Sequence, residues 1–196
     1  MQKAQTYYKR KLINLGKFLY NKGYIVATDG NMSIRLNQKE ILITRSGVCK
    51  GELKTGDVVK LNIENCKLEN ENFKVIPSTE YQMHLAIYQN RPDVNAVVHA
   101  HPVHSTIFAV TGNGNILDEK ILTETEKTLG KIGYVGYYQP GSNELAEVVG
   151  KSSGKSNVMI LAHHGVVVTG QNLSEARHRL ERLEFLAKVT LLSKII

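Results

Sequence analysis

Val97-Val98-His99-Ala100-His101-Pro102-Val103-His104 is the stretch on which the reading of this 196-residue chain turns. Two β-branched residues lead into His-x-His, and a proline follows at once. In a strand, residues two apart project from one face, so His99 and His101 share a side, with Cα atoms about 6.6–6.8 Å apart. Two such rings reach one ion at ordinary metal–nitrogen bonds of about 2.0–2.1 Å. Pro102 cannot continue a ladder but suits the first turn of a helix. The pair therefore sits at the carboxyl end of a strand, where open sheets collect their ligands. Ala162-His163-His164-Gly165 offers a third ligand, and five of the seven histidines fall in these two clusters. Neighbours in a strand point to opposite faces, so one of His163 and His164 joins the pair; alternation does not say which.

Outward from that stretch, the order of elements is mixed. Residues 5–22 read as an amphipathic helix carried by Tyr8, Leu12, Leu15 and Leu19, with Gly23 as its stop. Ala27 to Asn31 is turn chemistry; Met32 to Leu36 alternates as a strand, and Ile41 to Thr44 is its hairpin partner. Asp57 to Ile63 and Asn72 to Ile76 read as further strands, the second ended by Pro77. Thr79 and Gln82 have capping-box spacing at a helix start, with Met83, Ala86 and Ile87 as its buried face. Helices are expected from Pro102 to Val110 and from Asp118 to Gly130, then a strand from Tyr134 to Tyr138. Ser142 caps a helix running to about Lys151; Val158–Ala162 and Val166–Thr169 are strands; Asn172 and Glu175 box the start of the last helix. Hairpins among helices imply an α/β fold of three layers, α-β-α, around a central, largely antiparallel mixed sheet. There is no Gly-x-Gly-x-x-Gly and no Walker loop.

Composition narrows the class. A hydrophobic share of 42% and a charged share of 22% are those of a globular domain, and residues 1–196 are expected to form one. No apolar run reaches the roughly 20 residues of a membrane span, and the amino-terminal segment lacks a secretory h-region, so no membrane partner and a cytoplasmic setting are expected. Cys49 and Cys66 form no metal or redox motif. The formal charge of +7 is scattered, without the basic–aromatic interleaving of a nucleic-acid surface. It would steer a phosphorylated metabolite inwards.

Four motifs stand in one order: Thr-Asp-Gly-Asn-Met-Ser at 28–33, Ile-Thr-Arg-Ser-Gly at 43–47, Pro-Ser-Thr-Glu at 77–80 and His-x-His at 99–101; His-His-Gly at 163–165 completes them. This set resembles the class II aldolase/adducin family, and within it the fuculose-phosphate aldolase branch. The resemblance implies a metal-dependent sugar-phosphate aldolase that splits a ketose 1-phosphate into dihydroxyacetone phosphate and a short aldehyde through an enediolate. It implies Zn2+ (or another divalent transition metal) on His99, His101 and His164. It implies Glu80 as catalytic acid/base, and a substrate phosphate on Asn31, Ser46, Gly47, Ser78 and Thr79. It also implies a homotetramer with sites at subunit interfaces. The family aldolase has a proton-donor tyrosine where the rough match here is Thr123, beside Glu124; Tyr134, Tyr137 and Tyr138 are candidate substitutes. Related pentulose-phosphate 4-epimerases, a methylthioribulose-1-phosphate dehydratase and adducin-like scaffold modules are the alternatives. The glutamate of Pro-Ser-Thr-Glu argues against the epimerases, and the intact histidine set against a scaffold.

Overall fold

A computed structural model describes residues 2–65, 76–118 and 122–194. The elements are α1 (Gln2–Asn21), β1 (Asn31–Arg35), β2 (Glu40–Thr44), β3 (Val58–Asn62), α2 (Tyr81–Asn90), β4 (Ala96–Ala100), α3 (Val103–Val110), α4 (Thr123–Leu129), β5 (Ile132–Val135), α5 (Asn143–Ser153), β6 (Val158–Leu161), β7 (Gly165–Gly170) and α6 (Leu173–Leu192). The strands form one sheet in the order β3-β2-β1-β4-β7-β6-β5. Every neighbouring pair is antiparallel except β5 and β6. This is the mixed, largely antiparallel three-layer arrangement that the hairpins imply.

Strand alternation builds the layers. On one face Met32, Ile34, Val98, Ile160, Val166 and Val168 pack under α1, α3 and α6, whose inward residues include Leu12, Leu15, Leu19, Phe108, Leu180 and Leu183. On the other, Ile43, Val97, Met159 and Val167 meet Met83 and Ile87 of α2 and Leu145 and Val149 of α5. Each fully buried aliphatic side chain contributes roughly 1.5–3 kcal/mol, and both layers supply many. By the same alternation His99 faces α2, in register with Asn31 of β1 on one side and Val167 of β7 on the other.

Several local expectations shift. Pro102 is the N-cap of α3, one residue before the helix. Glu80 itself is the N-cap of α2, and its side chain makes no cap hydrogen bond, so the Thr79–Gln82 box does not form. Ala86 is only half-buried, while His84 and Tyr88 are buried instead. Of the helix expected from Asp118 to Gly130, α4 covers Thr123–Leu129, Asp118 instead ends a 3-10 turn that starts at Gly114, and residues 119–121 lie outside the described residues. β5 ends at Val135, short of Tyr138. Ser142 caps α5 as expected, accepting from Leu145 N, and Asn172 accepts from Glu175 N. The reciprocal bond of Glu175 goes to Gln171 N at 2.6 Å, one residue early. Asn72 to Val75 and Cys66 lie outside the described residues.

One tie crosses between helices. Glu184 of α6 accepts from the backbone N–H of His104 and Ser105 at 3.0 and 2.9 Å, from His104 Nδ1 at 2.7 Å and from Ser105 Oγ at 2.8 Å. It thereby caps the first turn of α3, just after His101, where the helix dipole also favours an anion. Glu184→Ala strips these donors of their partner and should lower the unfolding free energy by about 2–3 kcal/mol, with Glu184→Gln intermediate, as read by urea denaturation. A loss under about 0.5 kcal/mol for Glu184→Ala would contradict the assignment.

Candidate metal centre and active site

His99 is the fourth residue of β4, His101 follows the strand, and His164 lies in the turn between β6 and β7. Their ligand nitrogens all lie within 4.8 Å of one another. The turn reaches this position because His163 adopts a left-handed conformation, φ 56°. That leaves His163 exposed beside the Tyr137 ring, 6.0 Å away, and turns His164 towards the pair. Two glycines give the histidines room. A Cβ at Gly165 would sit 2.3 Å from His101 Cδ2, and one at Gly30, itself at φ 69°, would sit 2.9 Å from the His99 carbonyl oxygen.

Glu80 enters from the start of α2. Its Oε2 lies 3.2 Å from His99 Nε2, and its Oε1 lies 3.5 Å from His164 Nε2. Glu80 is 7% exposed and His99 is fully buried. His99 Nδ1 lies 3.0 Å from the Val166 carbonyl oxygen, which can only accept, so that nitrogen carries the proton and Nε2 presents a lone pair. Burial, and then the neighbouring rings of His101 and His164, push the His99 pKa well below the ordinary histidine value. Burial and His164 lower that of His101, against Asp29 and Glu80, which raise it. Asp29 Oδ2 stands 3.8 Å behind His101 Nδ1.

The donor set fits a divalent cation. A bare imidazole nitrogen faces a carboxylate oxygen at 3.2 Å, and His99 and His101 bring their Nε2 atoms to 3.0 Å. Two nitrogens on one tetrahedral zinc lie about 3.3 Å apart. Glu80 Oε1 and His164 Nδ1 are buried with no hydrogen-bond partner. Lone pairs aimed at one another are repulsive until a cation lies among them. Three neutral nitrogens also match the ligand count of catalytic rather than structural zinc.

The residues expected at a phosphate gather beside this cluster. Ser46 N donates to Ile76 O, Ser78 N to Thr44 O, and Arg45 bridges Pro77. These contacts lay the Ser46-Gly47 turn along Ser78-Thr79. Gly47 and Thr79 are exposed, Ser46 is half-buried, and Ser78 is buried with Oγ accepting from Glu80 N at 3.3 Å. Asn31 is buried, and its Nδ2 donates to Glu80 Oε2 at 2.9 Å. Thr123 and Glu124 are exposed residues of α4. An apolar groove of about 380 Å³ runs beside the cluster along α3, lined by His101, Val103, Thr106, Ile107, Val110 and Thr111. The sequence reading missed Glu184, Asp29 and His84.

The chain matches the family model described as "Class II Aldolase and Adducin N-terminal domain" over residues 10–191. The chain belongs to this family. It is an enzyme of the metal-dependent lyase kind. It is 37% identical over 188 residues to an L-fuculose phosphate aldolase of Methanocaldococcus jannaschii, covering 96% of this chain and 98% of that one. It is 33% identical over 183 residues to a 3-oxo-tetronate 4-phosphate decarboxylase of Haemophilus influenzae, covering 92% and 85%. A solved L-fuculose 1-phosphate aldolase superposes with a TM-score of 0.84 at 30% identity, over 95% of this chain and 85% of that one. Among the described residues, no helix is long and apolar enough to cross a membrane.

Burial in this site has a pH signature. His84, fully buried behind Asn31, has its pKa pushed down to about 3, by desolvation first and then by the nearby His99, against Glu80. A ring that protonates less readily when folded lets the unfolded chain take up the proton first. Its contribution is therefore complete above the ordinary value of 6.5 and is lost as pH falls towards about 3. Urea denaturation of metal-stripped protein should show His84 alone removing about 2 kcal/mol between pH 6.5 and 5. A flat profile over that window would contradict it.

Proposed function

We propose that the protein is a zinc-dependent sugar-phosphate aldolase that cleaves an L-fuculose 1-phosphate-like ketose 1-phosphate to dihydroxyacetone phosphate and a short aldehyde. The observation that carries this reading is the meeting of His99, His101 and His164 with Glu80 at the carboxyl end of the central strand β4. The three histidines hold the ion, which supplies a Lewis acid for the charge that grows on the ketone oxygen.

The chain's own groups do the rest. As the bond between C3 and C4 breaks, its electron pair moves onto the C3 side, giving an enediolate, while the C4 hydroxyl gives its proton to water and the aldehyde leaves. Glu80 gives C3 a proton, and in the reverse direction removes it; such a positioned carboxylate contributes about 10²–10⁴-fold. The Asn31 amide on Oε2 holds the carboxylate in place. Ser46, Gly47, Ser78 and Thr79 take the phosphate; Asn31, which the resemblance also puts there, has its amide on Glu80. The aldehyde chain lies in the apolar groove beside His101, which suits an alkyl group. The reading also takes residues 1–196 as one domain, working in the cytoplasm.

The decarboxylase among the relatives supports a second reading. A 3-oxo-tetronate 4-phosphate is a β-keto acid, and loss of its carboxyl group as CO2 leaves the same three-carbon enediolate. Protonation again gives dihydroxyacetone phosphate. The two readings share the phosphate site, the metal and Glu80, and differ in the leaving group. The groove favours the aldehyde, since no lysine or arginine among the described residues lines it to receive a carboxylate.

Three measurements test the proposal. Metal-loaded protein should exchange a C3 proton of dihydroxyacetone phosphate with D2O, and Glu80→Gln should keep its metal while losing about 10²–10⁴-fold of that rate. An unchanged rate in Glu80→Gln removes the carboxylate from its role. A panel of ketose 1-phosphates and 3-oxo-tetronate 4-phosphate then separates the readings by aldehyde or CO2 released; release of neither ends both. Light scattering should find a homotetramer, and an active monomer would refute sites shared between subunits.

A further inference from the structure

Behind Glu80 lies a buried polar file that runs away from the metal centre. Glu80, His84 and Tyr88 stand four residues apart on one stripe of α2, and Asn31 and Ser33 stand two apart on the facing side of β1. Four helical residues rise about 6.0 Å, and two strand residues about 6.7 Å, so the two rows interleave. The order of contact is Glu80, Asn31, His84, Ser33, Tyr88. Asn31 Nδ2 reaches Glu80 Oε2 at 2.9 Å, and Asn31 Oδ1 makes a short hydrogen bond to His84 Nε2. His84 Nδ1 meets Ser33 Oγ at 2.6 Å, and Ser33 Oγ meets Tyr88 OH at 2.9 Å. None of the five is more than 7% exposed.

Hydrogen-bond chemistry gives the file a single direction. An ionised Glu80 can only accept, so the Asn31 amide must turn its NH2 towards it. The Asn31 oxygen then faces His84, so Nε2 of that ring must donate. In a neutral ring the other nitrogen, Nδ1, accepts from the Ser33 hydroxyl, which in turn accepts from Tyr88. Reversal at any link propagates. An Nδ1–H ring would present a lone pair to the Asn31 oxygen and favour the flipped amide, whose oxygen would oppose the carboxylate. A buried network satisfied in only one sense rigidifies its end group.

The geometry points to His84 as a positioning residue for Glu80: as an Nε2–H donor it locks the Asn31 amide and so holds the carboxylate fixed in direction against the histidine cluster. The hydrogen bonds of His84 go to Asn31 and Ser33, and Asn31 is its link to Glu80. The inference rests on the reading of Glu80 as the proton carrier. It adds that the helix stripe Glu80-x3-His84-x3-Tyr88 is the device that keeps that carrier aligned.

The test uses metal-loaded full-length protein. With 15N-histidine labelling, the resonances that vanish in His84→Gln identify the ring, and long-range 15N–1H spectra of the wild type should show Nε2 protonated and Nδ1 bare. His84→Leu should keep the wild-type metal content and a half-saturation for dihydroxyacetone phosphate within about twofold. Its C3 proton exchange should fall about 10–100-fold. His84→Gln, whose amide can donate from the Nε2 position, should recover to within about fivefold of the wild type. An Nδ1–H ring in the wild type overturns the proposal. So does full exchange in His84→Leu, loss of its metal, or equal impairment of the two variants. If His84→Leu does not fold, the wild-type tautomer decides. A wild type that exchanges no proton defeats the preceding functional reading instead, and the tautomer again decides this one.

Discussion

The constraint on which the structure depends is a crowd of electron pairs with nothing positive among them. Three imidazoles and a carboxylate meet within hydrogen-bond distances, and the Val166 carbonyl, by taking the Nδ1 proton of His99, leaves that ring's lone pair on Nε2 facing Glu80. Folding alone does not repay such a cluster. Charged and polar groups held this close and this dry are stabilised by a cation, so the fold spends stability to make the site and recovers it on binding metal. The rest of the molecule can be understood as the framework that holds the four groups there against their own repulsion.

Each group is held by a different means, and none by a flexible surface loop alone. His99 is fixed inside a central strand, paired on both sides and tethered through Nδ1 to the next strand. His101 leaves the strand with its own N–H on the Tyr24 carbonyl, and α3 begins at once under the Glu184 carboxylate. His164 depends on the left-handed His163 and on the missing side chain of Gly165. Glu80 sits where a helix normally spends a side chain on capping itself, and instead turns it inward. These are small local costs in backbone strain and an uncapped helix end, and they collect around the site.

What the sequence made legible follows from this division. The strand pair His99 and His101 was readable because period-two alternation is a local property. The hairpin of β1 and β2, the Ser142 cap and the Asn172 cap were readable for the same reason. Choosing His164 over His163 needed the family resemblance, since either neighbour satisfies alternation. The start of α2 was misplaced because Thr79 and Gln82 have the spacing of a capping box, and nothing local reveals that Glu80 is drawn to the rings of His99 and His164, 19 and 84 residues on. Glu184 and His84 were invisible for a stronger reason: their partners lie 80 and 53 residues away in the chain. The adjacency of β4 and β7, which brings the two histidine clusters together, is likewise a fact of sheet order and not of any window of sequence.

The pattern of unsatisfied polar atoms supports treating the file from Tyr88 to Glu80 as part of the site. A chain of five buried polar residues laid through the apolar layer under α2 is costly unless every link is made. The links are made from Tyr88 to Glu80 Oε2, and the first atom left without a partner is Glu80 Oε1, at the end that faces the histidines. A purely structural network would have no reason to leave its one unpaired atom there. A leucine-like layer under this half of α2 would give ordinary packing at less risk, and the neighbouring Val97, Met83 and Ile87 show that the layer accepts such residues. The polar file instead delivers a single, directed hydrogen bond to one oxygen of a carboxylate and leaves the other free. A proton carrier needs that arrangement and a packing contact does not.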